Sequence, residues 1–402
     1  MGSVTALRCA QCGVSQPVSA AGWACATCGW VLECEILLPD PAALRAEIRD
    51  AARGLWRWHL LLPVADRKTV VSLGEGDTPL VPAGRLGERV GLSQLHLKND
   101  TLLPTGSLKD RINTVACSHA REVGARVVAT STTGNQGASV AAYAAAAGLE
   151  CVVFVPEATS PAKVVQALVH GAQVVRVAGP FERAVALFHE AVRAFGWYST
   201  LSNNPWRNEG MKTYAYEIWE TLGRAPDWLI HPEASGGAVA GAWKGFGELV
   251  RLSWIEHGPR MGLAQAALAA PIVRAWERGL PDAVPEPPGD TVAELIRVGR
   301  PSLAGRALRA LRESGGAAID VSDAEILLAR DLLARHTGIF AEPAGAVSLA
   351  AAIRLRRTGV IAREALVVCV VTGHGLKQLD AAPVALPRPV SDLDDVKRML
   401  RL

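Results

Sequence analysis

The sequence predicts an α/β protein with two open parallel-sheet domains, preceded by a small ribbon suited to a metal. Three observations support that prediction. Short apolar runs alternate with helical stretches along most of the chain; clusters of Gly, Ser, Thr and Asn follow directly on several of those runs; and two Cys-x2-Cys-Gly turns stand a dozen residues apart near the start. At 402 residues, half of them hydrophobic, the chain can bury a large core in two or three domains. Its net charge of +3 comes from interspersed charges, which gives no basis for partnership with nucleic acid or an anionic membrane. Met1 to Leu7 lacks the basic segment and apolar run of a signal peptide, and the alanine-rich stretch Val140 to Gly148 is too short to cross a bilayer. A cytoplasmic location is expected.

In chain order, Cys9, Cys12, Cys25 and Cys28 come first. Each Cys-x2-Cys turn presents two thiolates to one ion, which is what tetrahedral Zn²⁺ needs, and a reducing cytosol favours a metal over two disulfides. A structural zinc ribbon over residues 1–38 is expected, with free or redox-active thiols as the alternative. Cys34 lies outside the pattern, and Cys117, Cys151 and Cys369 sit in apolar runs as inert buried thiols. An Ala- and Arg-rich helical linker, Pro41 to Trp58, leads into the βα rhythm. Strands at Val127 to Thr130, Cys151 to Val155 and Gln173 to Val177 alternate with an Ala-rich helix and with helices near Ala162 to His170 and Phe181 to Phe195. A second series has strands at Trp228 to His231 and Leu366 to Val371, with a Pro/Gly-rich loop from Gly279 to Asp290 between them. There Ser322-Asp323-Ala324-Glu325 forms a capping box that opens a helix ending near Gly338. The expected division is a ribbon at 1–38, a larger α/β domain from 39–110 with 200–402, and a smaller one nested at 111–199. Ser391 to Leu402 reads as a short helix capped by Ser391.

The densest chemical signal is Pro104-Thr105-Gly106-Ser107-Leu108-Lys109-Asp110-Arg111. Pro and Gly make a turn, Ser107 is expected to cap a helix, and the first helical turn then carries Lys109 and Asp110. The positive end of the helix dipole opposes the charge of Lys109. That field, with burial, lowers the pKa and supplies the neutral amine a Schiff base requires. A surface Lys-Asp-Arg cluster is the plainer alternative. Other polar clusters share one position, just past the ends of strands: Thr132 to Gln136, Ser235 to Ala238, and Thr372 to Gly375. Open α/β sheets bind ligands in that crevice. In Ser235-Gly236-Gly237-Ala238-Val239 the glycines let backbone amides converge on an anion at a helix start, although Gly-Gly before a helix is also an ordinary tight turn.

Five segments stand in a fixed order: Leu73-Gly74-Glu75-Gly76-Asp77-Thr78-Pro79-Leu80, the Lys109 octapeptide, Ser131-Thr132-Thr133-Gly134-Asn135-Gln136-Gly137, Glu342-Pro343-Ala344, and Thr372-Gly373-His374-Gly375-Leu376-Lys377. Together they resemble the threonine synthases, pyridoxal-phosphate (PLP) enzymes of the tryptophan-synthase-β fold type, from about Cys9 to Lys377. The resemblance implies that Lys109 carries PLP, Asn135 bonds its ring 3′-oxygen, Thr372 faces the pyridine nitrogen, and Ser235 to Val239 hold its phosphate. A neutral hydroxyl at Thr372 leaves that nitrogen less firmly protonated, which favours elimination and replacement over transamination. Thr132, Thr133 and Gly134 are implied to nest the substrate carboxylate. Gln136, Ser202, Asn204, Arg207 and Lys212 fall at substrate-side positions, and Arg207 is suited to grip an anionic leaving group. Glu342 matches a position near the cofactor, though Glu-Pro before a helix is also a common turn, and His374 reads as structural.

The reaction so implied converts O-phospho-L-homoserine and water to L-threonine and phosphate, and the resemblance implies a homodimer. Two positions depart from the family pattern: Gln136 replaces a Thr, and Leu201 replaces an Asn. A second reading is a serine/threonine dehydratase or a β-replacement synthase of the same fold type, which would need no phosphate site on the substrate. A third is a non-catalytic zinc-ribbon protein using the α/β body as a binding platform. The intact Lys109 and the lack of a basic patch argue against it.

Overall fold

Buried apolar runs build three sheets in the computed structural model of the chain, which describes residues 4–18, 23–132, 134–159, 161–179, 181–381, 389 and 397–399. Thr133 and the cap expected at Ser391 lie outside these residues. The first sheet is antiparallel, with strands β1 (Val4–Cys9), β2 (Ser15–Gln16) and β3 (Leu32–Ile36) in the order β2-β1-β3. After β4 (Leu80–Pro82) and β5 (Gln94–Asn99), a four-stranded parallel sheet forms from β6 (Val127–Ser131), β7 (Glu150–Pro156), β8 (Gln173–Val177) and β9 (Tyr198–Ser199), ordered β8-β7-β6-β9. Then β10 (Trp228–Pro232), β11 (Arg260–Ala266), β12 (Ala317–Val321) and β13 (Leu366–Val371) complete a six-stranded sheet in the order β12-β11-β10-β13-β5-β4. All its pairings are parallel except that of β4, which lies antiparallel on the edge.

The large sheet is covered on both faces, and the sequence shows why. Every residue of β13, Leu-Val-Val-Cys-Val-Val, is buried. Alternate side chains serve opposite cores: Val368 and Val370 join Leu229 and Leu263 on one face, while Val367, Cys369 and Val371 join Ile230 and Ala264 on the other. Burial of each such side chain stabilises by about 1.5–3 kcal/mol. From β10 the chain runs outward through β11 and β12, then returns to place β13 between β10 and β5. The strand order thus reverses beside β10, and open α/β sheets bind ligands at such a point, here the crevice at the carboxyl ends of β10, β13 and β5.

Most local expectations agree with this structure. The helix Phe181–Phe195 has the expected bounds, and the Ser322 capping box is formed, with Gly338 closing that helix. The linker departs from expectation. Its helix Pro41–Asp50 stops, and a 3-10 turn, Leu55–Leu61, follows Gly54, whose φ of +116° no helix accommodates. None of the described helices is long and apolar enough to cross a membrane.

Candidate active site

The helix Lys109–Glu122 starts beyond the end of β5, with Lys109 as its first residue. Ser107 does not cap it. Leu108 occupies the cap position without a side-chain bond, and the Ser107 hydroxyl is buried with no partner among the described residues. Asp110 organises the turn instead. Its carboxylate accepts from Thr105 N at 2.7 Å, from Thr105 Oγ1 at 2.6 Å and from Ser139 Oγ at 2.6 Å, being a stronger acceptor than a hydroxyl. Burial nevertheless raises the Asp110 pKa to about 6. One residue further on, fully buried Arg111 donates to Asp100 at 2.8 Å through both Nε and Nη2, and to Glu217 at 2.5 and 2.9 Å. This doubly bidentate cation fixes the helix start against the helix Thr213–Leu222 and so fixes Lys109.

Four other lysines are tied down. Lys98 pairs with Glu217 at 2.6 Å, and Lys377 donates to Thr105 O and Gln166 Oε1 at 2.8 and 2.7 Å. Lys212 is fully buried between Glu209 and Glu248, at 2.8 and 2.9 Å, while Lys244 bonds Glu209 and Cys34 O. The Lys109 amine has no hydrogen-bond or ion-pair partner among the described residues. Burial, and next the nearby Arg207, pull its pKa down to about 8 against the opposing pull of Glu233 and Glu342.

Lys109 opens on a cavity lined also by Thr132, Asn135, Gln136, Leu295, Glu342 and Thr372. The expected residues from the ends of β6 and β13 therefore do converge on it. Asn135 Nδ2 donates to both oxygens of Glu342, at 3.1 and 3.2 Å, and burial raises the Glu342 carboxyl to about 7. Thr132 Oγ1 receives Gly134 N at 3.1 Å, and the Thr372 carbonyl receives Leu108 N at 2.9 Å, closing the end of β13 on the Lys109 turn. His374 accepts from Leu376 N and holds its loop.

Past β10, Ser235 to Val239 make a tight turn into the helix Gly237–Arg251. Gly236 has φ +93°, and a Cβ there would stand 2.6 Å from Leu303 O, so only glycine fits. The amides of Gly236 and Val239 donate to the carboxylate of Glu233, at 2.9 and 2.5 Å. Glu233 was no part of the sequence expectation. An acid directly after a buried strand and three residues before Gly-Gly is the one sequence signal for it.

On the far side, Asn204 caps the short helix Pro205–Asn208 by accepting Arg207 N at 3.2 Å, and its amide bonds Tyr198 and Ser199. Arg207 is buried. Nη1 donates to Asn208 Oδ1 at 3.1 Å and Nη2 to Gln136 Oε1 at 3.2 Å, while Nε has no acceptor among the described residues. No described carboxylate pairs with it, and burial lowers its pKa to about 9. Gln136 is itself braced by Asn113 at 3.0 Å and Thr200 O at 3.1 Å. Two residues expected on the substrate side make other bonds: Lys212 is locked in its ion cluster, whose two carboxylates neutralise it, and Ser202 bonds Ser302 at 2.5 Å. Leu201, which stands where the family pattern has an Asn, packs on an apolar face of the four-stranded sheet.

The ribbon brings the sulfurs of Cys9, Cys12, Cys25 and Cys28 within 4.8 Å of one another, with separations of 3.5 Å for Cys9–Cys28 and 3.6 Å for Cys12–Cys25. Zn–S bonds of about 2.3 Å give a tetrahedron with edges of about 3.8 Å, so four thiolates so placed fit a structural zinc ion. The ribbon docks on the body through Glu33, which Arg306 and Arg309 approach to 2.5 and 3.3 Å, and through Trp206, which packs into the ribbon core beside Leu7 and Leu32.

The fold and this lysine-centred crevice define a PLP-dependent enzyme: the family model described as "Pyridoxal-phosphate dependent enzyme" matches residues 71–373. Among curated proteins, the "Threonine synthase" of Methanocaldococcus jannaschii is 39% identical over 98% of this chain and 99% of its own length. That of Mycobacterium tuberculosis is 41% identical over 84% of this chain and 93% of its own. The chain belongs to the threonine synthase family. Solved structures share the fold at lower identity. Processed threonine deaminase isoform 2 from Solanum lycopersicum has a TM-score of 0.66 at 18% identity, covering 90% of this chain and 92% of that one. Maize serine racemase has 0.66 at 19%, covering 81% and 92%.

Proposed function

We propose that this protein is a threonine synthase that converts O-phospho-L-homoserine and water to L-threonine and phosphate. The observation that carries the reading is Arg207, a buried cation close enough to Lys109 to depress its pKa and without a carboxylate partner among the described residues. A buried charge in that state gains most from an anionic ligand, and the substrate phosphate supplies one.

The residues fit the family's cofactor. Lys109 offers an amine without a bonded partner among the described residues and with a pKa lowered to about 8, the Gly236 turn offers converging amides, and Thr372 offers a buried hydroxyl. In this reading Lys109 carries PLP, Asn135 bonds the ring oxygen, Ser235 to Val239 hold the phosphate, and Thr372 meets the ring nitrogen. Bound PLP supplies the electron sink for charge that develops at the substrate α-carbon. Lys109 Nζ takes the proton from Cα and relays protons along the chain as the Cγ–O bond breaks and water adds at Cβ. Thr132 and Gly134 receive the substrate carboxylate, with Thr133 as their expected neighbour. Arg207, oriented by Gln136 and Asn208, receives the leaving phosphate. Lys212, Ser202 and Asn204 support that wall through packing, surface bonding and capping.

The same reading makes the protein a cytoplasmic homodimer; light scattering of the purified protein checks the dimer, and cell fractionation the location. The functional test is a substrate panel on purified, PLP-loaded protein. Threonine and phosphate in equal amounts from O-phospho-L-homoserine support the reading. Turnover of serine or threonine with none of that substrate selects the dehydratase alternative.

A further inference from the structure

The cradle at the start of the helix Gly237–Arg251 is already engaged by this chain's own anion. Both oxygens of Glu233 are used there, one by Gly236 N at 2.9 Å and one by Val239 N at 2.5 Å, and the side chain is buried. These are the amides that, on the function proposed above, receive the cofactor phosphate. A phosphate brought to them stands against a carboxylate, and two like charges sharing one buried set of donors do not both stay ionised. We propose that Glu233 is a built-in counter-anion of the cofactor cradle, which gives up its charge by taking a proton from solvent when the phosphate enters. The protonated acid then has an O–H to donate to a phosphate oxygen.

The surroundings allow that change. Charged and titratable neighbours are few: Lys109 from the helix Lys109–Glu122 favours the ionised form, and His231 of β10, with Nδ1 4.0 Å away, is kept neutral because burial lowers its pKa to about 4. From β11, Gln265 donates only to the Glu233 carbonyl, at 3.4 Å, and the helix Gly237–Arg251 presents backbone amides. Burial, opposed by the amides and Lys109, leaves the Glu233 pKa raised to about 7, so both forms are accessible near neutrality. Ionised Glu233 therefore prevails in the cofactor-free protein above pH 7, and cofactor binding there takes up a proton.

The test titrates cofactor-free wild type and Glu233→Gln with PLP, and separately with pyridoxal, which lacks the phosphate, from about pH 6.5 to 8.5. Binding is followed by absorbance, and proton uptake by calorimetry in two buffers of different ionisation enthalpy. Above pH 7 the wild-type Kd for PLP should weaken relative to the variant by about tenfold per pH unit, the slope of one linked proton. Wild type should take up about one proton more than the variant. Pyridoxal should show no such difference. Equal pH slopes and equal proton uptake for the two proteins with PLP would overturn the proposal and leave the cofactor reading standing. A difference that persists with pyridoxal would also overturn it, since the phosphate would then not be its cause. Failure of both folded proteins to bind PLP would overturn the cradle reading itself. Should Glu233→Gln not fold, wild type alone decides: PLP must take up the extra proton and pyridoxal must not.

Discussion

At one end of the crevice, the amides of Gly236 and Val239 hold the carboxylate of Glu233; at the other, the guanidinium of Arg207 is buried with amide oxygens as acceptors and no described carboxylate beside it. Lys109 lies between, drawn down by Arg207 and pushed up by Glu233. The difference separates a resident group from a visiting one. The cradle consists of neutral dipoles, and a side chain of the same fold can occupy it at modest cost. The Arg207 corner carries a full charge that Gln136, Asn113 and Asn208 hold in place without neutralising. Its strongest partner is therefore an anion brought by the substrate.

Substitutions can break or sharpen this contrast. The largest effect is expected at the centre: Lys109→Ala should lower turnover by about 10²- to 10⁴-fold, the usual share of a positioned proton-transfer group. It should also abolish the visible cofactor band while leaving the melting temperature near that of wild type. Next, Arg207→Ala should weaken kcat/KM for a phosphorylated substrate by about 10- to 150-fold, the value of one charge-assisted bond, and leave the protein able to bind PLP. An equal loss with an uncharged substrate would erase the distinction between the two ends. Gln136→Leu removes one acceptor that orients Arg207 and leaves the charge in place, so it should cost less than Arg207→Ala in the same ratio.

The pH profile sharpens the contrast further. The Lys109 amine of the cofactor-free protein is lowered from 10.5 to about 8, so its rate of PLP capture should rise with pH and reach half its plateau near 8 as the amine loses its proton. Removing the Arg207 charge lets the amine keep its proton to higher pH, so in Arg207→Ala the rising limb should move upward. The smallest effect on the chemistry is expected from the ribbon. Replacing Cys25 and Cys28 by Ser should release about one zinc per chain, as for a single four-thiolate site. It should lower the melting temperature more than it lowers turnover per folded molecule. Because Trp206 packs in the ribbon core and directly precedes Arg207, any residual loss should appear in KM for the phosphorylated substrate and not in PLP affinity.

Much of the fold was legible where one side-chain pattern decides it. The all-apolar run Leu366–Val371 became the centre of the large sheet, and the Ser322–Glu325 box opens its helix. Strands β11 and β12 escaped notice because Arg260–Ala266 contains Gly and no β-branched residue and Ala317–Val321 is only half-buried. In the site, Lys109, Asn135 and Thr372 converge as their motifs suggested. Ser107 does not cap the helix because the amides of Asp110 and Arg111 donate to the backbone carbonyls of Ser107 and Leu108. Lys212 looked like a substrate ligand only because its two carboxylate partners were unseen, and Glu248 lies 36 residues away. Glu233 left almost no trace, since its partners are backbone amides, which every sequence has.

The central claim is that this crevice breaks the Cγ–O bond of O-phospho-L-homoserine and adds water at Cβ. The reaction run in ¹⁸O-labelled water, with products resolved by mass spectrometry, tests it most directly. The account predicts label in the hydroxyl of L-threonine and unlabelled phosphate, with both lost in Lys109→Ala. Label in the phosphate, with homoserine as the other product, would mean hydrolysis at phosphorus and would contradict the account.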